Sequence, residues 1–209
     1  MPRGSPYCAR SSMDWRTALG LVAGLIILVS IIPYILDTLR GSTRPNIVTW
    51  SLWTLTGAVL AAAQYSAGAS WTLAILVSST VSTSIVTILA VGYGQSKYGW
   101  FDGACLVMAL TAILGWAITA NPLVGIVLGV LGEMCAVAPT VLKTYRAPQT
   151  ETSATYWLTN IATVLALIAS TRYDLANILF PIYALSINTL VACLAMRRPH
   201  KGGKVSQKT

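Results

Sequence analysis

A single acidic residue, Glu133, lies well inside a long apolar stretch, and it is the residue that most suggests chemistry. A carboxylate at the bilayer centre costs about 2.5–3.5 kcal/mol on insertion scales, so Glu133 is expected to be protonated or to face protein or water. Gly125 and Gly129 precede it at steps of four and form a close-packing surface on the same helix face. The corresponding place in the first apolar run is Leu28. Two interpretations stay open: a proton-coupling carboxylate, or a neutral acid that donates one interhelical hydrogen bond.

Three further side chains could hold a small polar ligand. Trp53 and Asn160 lie one turn inside apolar runs, where an indole ring could stack and an amide could hydrogen-bond. Asn188 follows Asn177 by eleven residues, so the two amides share a helix face that must find partners away from lipid. We expect Asn177 to join helices. For all four residues the alternative is helix-to-helix adhesion, worth about 0.6 kcal/mol for each group.

Residues for other chemistries are missing from the sequence. No carboxylate pair, GxSxG motif or GxxxxGK[ST] motif occurs, and the only histidine, His200, lies in the C-terminal tail. Cys105, Cys135 and Cys193 fall inside apolar runs and only Cys8 lies outside, which leaves neither a disulfide framework nor a CxxC metal site. We predict that the protein is not an enzyme and has no catalytic residue, metal or cofactor.

The elements that position these residues are predicted to be transmembrane helices. Of the 209 residues, 55% are hydrophobic and 10% are charged, too few charges to cover a soluble globule of this size. Apolar runs recur at about 18–37, 47–65, 71–92, 103–119, 123–142, 154–170 and 175–196. Each is close to, or longer than, the roughly 20 residues that cross a bilayer core. The fold class predicted is therefore an all-α membrane protein with seven transmembrane helices.

The sequence contains an internal repeat. Residues 33–63 match 139–169 without a gap, 106 positions later, with seven identities: Pro33/Pro139, Leu36/Leu142, Thr38/Thr144, Arg40/Arg146, Thr49/Thr155, Leu52/Leu158 and Ala63/Ala169. Such a period indicates that one supersecondary unit is built twice. The fourth run has no counterpart in the repeat. Two three-helix units joined directly would be inverted relative to each other, and one additional crossing gives them the same orientation. We predict two parallel three-helix repeats joined by a linker helix, divided as 1–17 (extension), 18–92, 93–121 (linker), 122–196 and 197–209 (basic tail).

The basic residues predict the orientation of the chain. The net charge is +8, but its cations are not interleaved with aromatic residues, so nucleic acid is not an expected partner. Alternate connections place four cations on one side: Arg3, Arg10, Arg16 and Arg172. They place ten on the other side: Arg40, Arg44, Lys97, Lys143, Arg146, Arg197, Arg198, Lys201, Lys204 and Lys208. The positive-inside rule then puts the N-terminus outside and the C-terminus in the cytoplasm.

Pro33 and Pro139 lie about one turn before basic helix ends, where a missing amide and a ring clash open the helix. The matched prolines could be a pair of gating hinges. The alternative is that each kink only shapes packing, since membrane helices tolerate proline readily.

A helix that ends in Pro, a short basic connection and a helix that opens on Thr and aromatic residues together resemble the PQ-loop and SWEET family of small-solute transporters. The connections read Asp37-Thr-Leu-Arg-Gly-Ser-Thr-Arg and Lys143-Thr-Tyr-Arg-Ala-Pro-Gln-Thr, and the resemblance covers nearly all of 18–196. The Gln of the family motif is Tyr34 in the first copy and Thr140 in the second. The resemblance implies two triple-helix bundles around a midplane site, alternating access by rocking, and a role for Asn188 in binding, with Ser82 as its first-copy counterpart.

Two functions of different classes follow. The first is an integral membrane carrier in the cell (inner) membrane, either a facilitator or a proton-coupled carrier of a small polar solute. Its partners would be the lipid bilayer, the solute and protons, and a homo-oligomer is compatible with the sequence. The second is a non-transporting membrane scaffold or partner protein with the same fold. A cavity between the two repeats favours the carrier, and a closed dry centre favours the scaffold.

Overall fold

The computed structural model describes residues 14–68, 70–94 and 100–197, without the side chains at 101, 102, 105, 109, 112 and 113. Most of the predicted N-terminal extension and nearly all of the basic tail lie outside these residues. So do Lys97, His200 and Cys8, and the side chain of Cys105. The predictions made for them stay predictions.

Seven α-helices make up most of the described chain, and no strand occurs within it. They are α1 (Trp15–Leu39), α2 (Ile47–Ser66), α3 (Thr72–Tyr93), α4 (Trp100–Thr119), α5 (Pro122–Arg146), α6 (Ser153–Ala169) and α7 (Leu175–Ala195). A short 3-10 helix, Pro148–Thr150, precedes α6. Each α-helix begins and ends within four residues of a predicted apolar run.

The described part of the chain has the character of an all-α membrane protein. Five helices, α1, α2, α3, α5 and α7, are long and apolar enough to cross a membrane, and α6 is apolar but has only 17 residues. Large apolar side chains point outward from them, such as Ile88 and Val91, which are 73% and 76% exposed. A soluble protein rarely leaves so much apolar surface uncovered, whereas lipid solvates it.

Side chains at the helix starts satisfy free backbone amides. Asn46 Oδ1 accepts hydrogen bonds from the amides of Val48 (3.0 Å) and Thr49 at the start of α2. Asp174 Oδ1 accepts from the Asn177 amide at 3.1 Å at the start of α7. The hydrogen bond from the Asn177 side chain holds the pKa of the Asp174 carboxyl below its usual range. These caps fix where the two helices begin.

The helices pack in matched sets. Helix α3 packs against both α1 and α2, and α7 packs against both α5 and α6. Between these sets, α1 packs along α6 and α2 packs along α5. Helix α4 packs against α5 and, less extensively, against α2. The contacts therefore arrange α1, α2, α3, α5, α6 and α7 around a common centre.

Pro33 and Pro139 lie inside α1 and α5, and both helices continue beyond them to Leu39 and Arg146. Both prolines are half-buried. The extra residues of α5 beyond the predicted run carry Lys143 and Arg146 in the last turn, where cations are favoured by the helix dipole. A hinge at either proline stays a prediction.

Gly129 allows α5 to approach α2 closely. A Cβ built at Gly129 would lie 2.7 Å from Cδ2 of Leu60, a side chain with no exposed surface. We therefore expect Gly129→Ala to lower the free energy of unfolding by about 1–3 kcal/mol, because overpacking outweighs the better helix propensity of Ala. Thermal unfolding in detergent measures this change.

The matched control is Gly92→Ala on α3, where no atom of the described residues lies within 4 Å of an added Cβ. That variant is expected to be neutral or slightly more stable, by up to about 1 kcal/mol. Equal losses in the two variants would contradict the packing argument.

Candidate functional site

A cavity of about 110 Å³ lies at the common centre of the helices. Residues of α1, α2, α3, α5, α6 and α7 line it. This volume is well below the roughly 300–1,000 Å³ of sites for drug-sized ligands. Only a small guest fits this conformation.

The cavity brings together three of the four side chains that the sequence singled out for binding or proton transfer. Trp53 from α2, Glu133 from α5 and Asn188 from α7 all line it. Asn160 does not: its Nδ2 donates to Thr189 Oγ1 at 2.8 Å and joins α6 to α7. The geometry of Asn160 therefore corresponds to helix-to-helix adhesion, the alternative weighed for it above.

Glu133 has a geometry suited to holding a proton. Its side chain is buried, and Oε1 is hydrogen-bonded to Thr56 Oγ1. The same Thr56 oxygen lies 2.8 Å from the carbonyl oxygen of Leu52. A hydroxyl has one hydrogen, and one arrangement that satisfies both contacts fully has a protonated Glu133 that donates to Thr56, which then donates to Leu52. An ionised Glu133 would instead accept a hydrogen bond from the Thr56 hydroxyl, which would then no longer donate to Leu52.

Four buried polar atoms at the cavity have no hydrogen-bond partner among the described residues. They are Trp53 Nε1, Ser82 Oγ, Thr155 Oγ1 and the Tyr183 hydroxyl. A buried polar group without a partner costs about 1–3 kcal/mol. A guest with hydrogen-bonding groups would remove that cost, which makes the cavity suited to a polar ligand.

Thr155 and Tyr183 were not identified as candidates from the sequence. Thr155 is the repeat partner of Thr49, and this match could have marked it as an interior residue. Tyr183 is a phenol in the middle of an apolar run, which is a weak signal because tyrosine is also common at membrane interfaces.

Aromatic rings form much of the cavity wall. Trp50 and Trp53 of α2 meet edge to face, with ring centroids 5.1 Å apart, and Phe180 and Tyr183 of α7 lie 6.2 Å apart. Tyr156 of α6 lines the cavity as well. The cavity therefore combines aromatic walls with one carboxyl group and several hydroxyl and amide groups.

The 106-residue period is visible in the cavity wall. Four pairs of wall residues are separated by this period: Ile27/Glu133, Trp50/Tyr156, Trp53/Thr159 and Ser82/Asn188. The interpretation of Leu28 as the counterpart of Glu133 is wrong, because Leu28 is 40% exposed on α1 whereas Ile27 faces the cavity. Leu28 was chosen by aligning Gly20 and Gly24 with Gly125 and Gly129, an offset one residue shorter than the 106-residue period. The wall is thus matched in position and unmatched in charge.

Glu151, which directly follows the 3-10 helix, was also missed by the sequence analysis. Its carboxylate is paired with Lys143 and accepts a hydrogen bond from the Tyr156 hydroxyl at 3.0 Å. Lys143 also donates to the Arg44 carbonyl at 2.8 Å, which ties the connection after α1 to the end of α5. Tyr156 lines the cavity, so the ion pair holds one residue of the cavity wall in place. It does so near the C-terminal ends of α1 and α5, the two helices that contain Pro33 and Pro139.

A second polar cluster lies at the opposite ends of the helices. Gln64 Nε2 donates to Thr72 Oγ1 at 2.9 Å and to Asn177 Oδ1 at 3.3 Å. Asn177 Nδ2 donates to Asp174 Oδ1 at 2.9 Å. Asn177 therefore joins α2, α3 and α7 and lies outside the cavity wall.

Comparison with protein-family models, with curated proteins and with solved structures finds no match to this chain. Among the residues whose side chains the structure describes, no three His, Cys, Asp or Glu groups cluster as a metal site requires. The cavity and the groups that face it are the basis for a functional assignment.

Proposed function

We propose that the protein carries a small polar solute across the membrane by alternating access, as a facilitator or a proton-coupled carrier. The observation that supports this function is the central cavity between six helices, which is lined by Glu133 and by four hydrogen-bonding groups that have no partner among the described residues. A small, central and mostly apolar site with a few polar groups is what a carrier of small solutes needs.

The proposal includes seven transmembrane helices as two parallel repeats, α1 to α3 and α5 to α7, with α4 as the linker. In this plan α1 corresponds to α5 and α2 corresponds to α6. The packing of α1 on α6 is then equivalent to the packing of α5 on α2, and both contacts occur, which supports this arrangement. The wall pairs at the 106-residue period support it too. The orientation with the N-terminus outside follows from the count of basic residues, and the resemblance to PQ-loop and SWEET transporters favours the same plan.

In this mechanism Glu133 alternates between a protonated form, which donates to Thr56, and an ionised form. The Thr56 hydroxyl donates to the Leu52 carbonyl when Glu133 is protonated and to the Glu133 carboxylate when it is ionised. Proton loss therefore changes a hydrogen bond between α5 and α2. Pro33 and Pro139, at matched places in α1 and α5, are the proposed hinges for the rocking of the two halves.

A non-transporting scaffold is the second candidate. The small volume of the cavity favours it, because a space of about 110 Å³ can also be a packing feature. A scaffold would retain its fold and its membrane location when the cavity is filled, whereas a carrier would lose activity.

Uptake by proteoliposomes distinguishes the two candidates. Small labelled polyols, amines and amino acids are tested with and without a pH gradient, and at least one is expected to enter at a rate at least about tenfold above protein-free liposomes. Ser82→Leu, which fills the cavity from α3, is expected to reduce that uptake at least about tenfold.

The matched control is Ser186→Leu on an exposed face of α7, which is expected to retain wild-type uptake. Uptake at the protein-free level for every solute, or full activity of Ser82→Leu, would contradict the carrier proposal.

A further inference from the structure

We infer that the cavity of the proposed carrier takes a small organic ammonium ion that also bears a hydroxyl group, an amino alcohol, in exchange for the proton on Glu133. This inference rests on the proposed function, but ligand binding can be measured without transport. The volume of about 110 Å³ favours a small solute.

The charge of the cavity wall selects a cation. Glu133 is the only Asp or Glu that lines the cavity, and no Lys, Arg or His lines it in the described chain. The other titratable wall residues are Tyr156 of α6 and Tyr183 of α7, and Lys143 beyond Tyr156 is already paired with Glu151. A buried carboxyl group without a protein cation is stabilised by a proton or by a bound cation.

The aromatic wall favours an organic cation. Trp50 and Trp53 lie on one side of the cavity, and Tyr156, Phe180 and Tyr183 belong to the helices α6 and α7. The faces of aromatic rings attract ammonium groups within about 6 Å of the ring centroid, and Trp is the strongest of them. An inorganic cation, which keeps its water shell or needs several oxygen ligands, gains little from such a wall.

The partnerless indole explains the second group of the solute. Trp53 Nε1 can only donate a hydrogen bond and has no acceptor among the described residues. A hydroxyl oxygen on the solute can accept from it and can donate its own hydrogen to Ser82 or Asn188, which also line the cavity. An ammonium ion without such an oxygen would leave Trp53 Nε1 unpaired.

Exchange keeps the charge of the site constant. When the ammonium ion binds, the Glu133 proton leaves to water on the open side, and the Thr56 hydrogen turns from Leu52 to the carboxylate. One ammonium ion enters for each proton released. The site is therefore neutral both with a protonated Glu133 and with a Glu133 carboxylate paired to the bound ammonium ion. Reversal of these steps on the other side of the membrane completes one electroneutral exchange.

Binding to the full-length protein in detergent tests this inference. Ethanolamine and ethylene glycol have four non-hydrogen atoms each and differ in one ammonium group. Titration calorimetry at pH 7 in two buffers of different ionisation enthalpy measures affinity and proton release. We expect ethanolamine to bind with a Kd at least tenfold lower than that of ethylene glycol and to release close to one proton, and ethylamine to bind more weakly than ethanolamine.

Two variants locate the effect. Glu133→Gln keeps the shape of the acid and is expected to weaken ethanolamine binding at least tenfold and to remove proton release. Asp14→Asn, which removes an exposed acid before α1, is the matched control and is expected to bind as the wild type does. Unfolding curves of both variants show that the fold is retained.

The outcomes separate the inference from the carrier function. Equal affinity for ethylene glycol, no binding of ethanolamine, or unchanged binding by Glu133→Gln overturns the ammonium assignment. Uptake of a neutral solute without any of ethanolamine also overturns it and leaves the carrier function standing. Ethanolamine binding with proton release but no uptake supports the cation site and overturns transport.

Discussion

Replacement of Glu133 with Gln is expected to remove the effect of a pH gradient on solute uptake. Gln has the shape of the protonated acid and can donate to Thr56 from its amide nitrogen, so the hydrogen bond to α2 is retained. It cannot release a proton, so it remains in one of the two states that the proposed cycle requires. The ratio of uptake rates with and without a pH gradient is expected to fall from at least about tenfold to one, given the size typical of proton-transfer effects.

Initial rates in proteoliposomes measure this ratio, and unfolding of the same sample in detergent checks stability. The Gln variant is expected to unfold within about 0.5 kcal/mol of the wild type, because no buried charge or cavity is created. Thr56→Val removes the partner of Glu133, and we expect it to alter coupling, whereas Thr56→Ser keeps the hydroxyl and serves as its control. A gradient effect that persists in Glu133→Gln would assign the neutral, adhesive role to this acid.

Removal of the Glu151 carboxylate is expected to destabilise the protein more than any surface change. The Lys143 and Glu151 side chains are 13% and 1% exposed, so the pair is largely shielded from water. Glu151→Ala would leave a buried ammonium group and a Tyr156 hydroxyl without their partner. Breaking one half of a buried ion pair typically costs about 3–5 kcal/mol, and the remaining bond from Lys143 to the Arg44 carbonyl puts this case near the lower value.

Chemical unfolding of the purified variants in detergent measures the loss. The double variant Lys143→Met/Glu151→Leu is expected to regain most of it, since apolar replacement of both partners is often close to neutral. The matched control is Arg40→Ala, which breaks an exposed pair with Asp37 at 3.9 Å and is expected to cost less than about 0.5 kcal/mol. A Glu151→Ala variant as stable as Arg40→Ala would show that the pair does not hold the two connections together.

The helices could be predicted from the sequence because their main determinant is local. A bilayer core requires about 20 apolar residues in a row, and this constraint appears directly in the amino-acid pattern. Asn46 and Asn121 mark the starts of α2 and α5 by capping free amides, which is also a local effect. The greatest difference is at α5, which runs to Arg146 because a basic last turn can remain helical beyond the apolar run.

The candidate site was predicted only in part. Glu133 was identifiable because an acid in an apolar run is costly and so needs an interior place. Asn160 is an interior amide too, but its partner is Thr189 on α7, which is 29 residues away in the sequence. The direction of its side chain is set by how α6 is rotated against α7, and a pattern of apolar residues specifies that rotation only coarsely.

The sequence by itself determined the all-helical membrane class, the extent of seven helices and the presence of one acid that must be shielded from lipid. These properties depend on length, composition and local hydrogen bonding. The tertiary structure alone decided that Trp53, Glu133 and Asn188 face one cavity and that Glu151 meets Lys143. It also decided that Tyr183 and Thr155 have no hydrogen-bond partner among the residues that the structure describes. Such contacts join residues from separate helices, and packing of whole side-chain surfaces chooses among helix rotations that the sequence pattern leaves nearly equal.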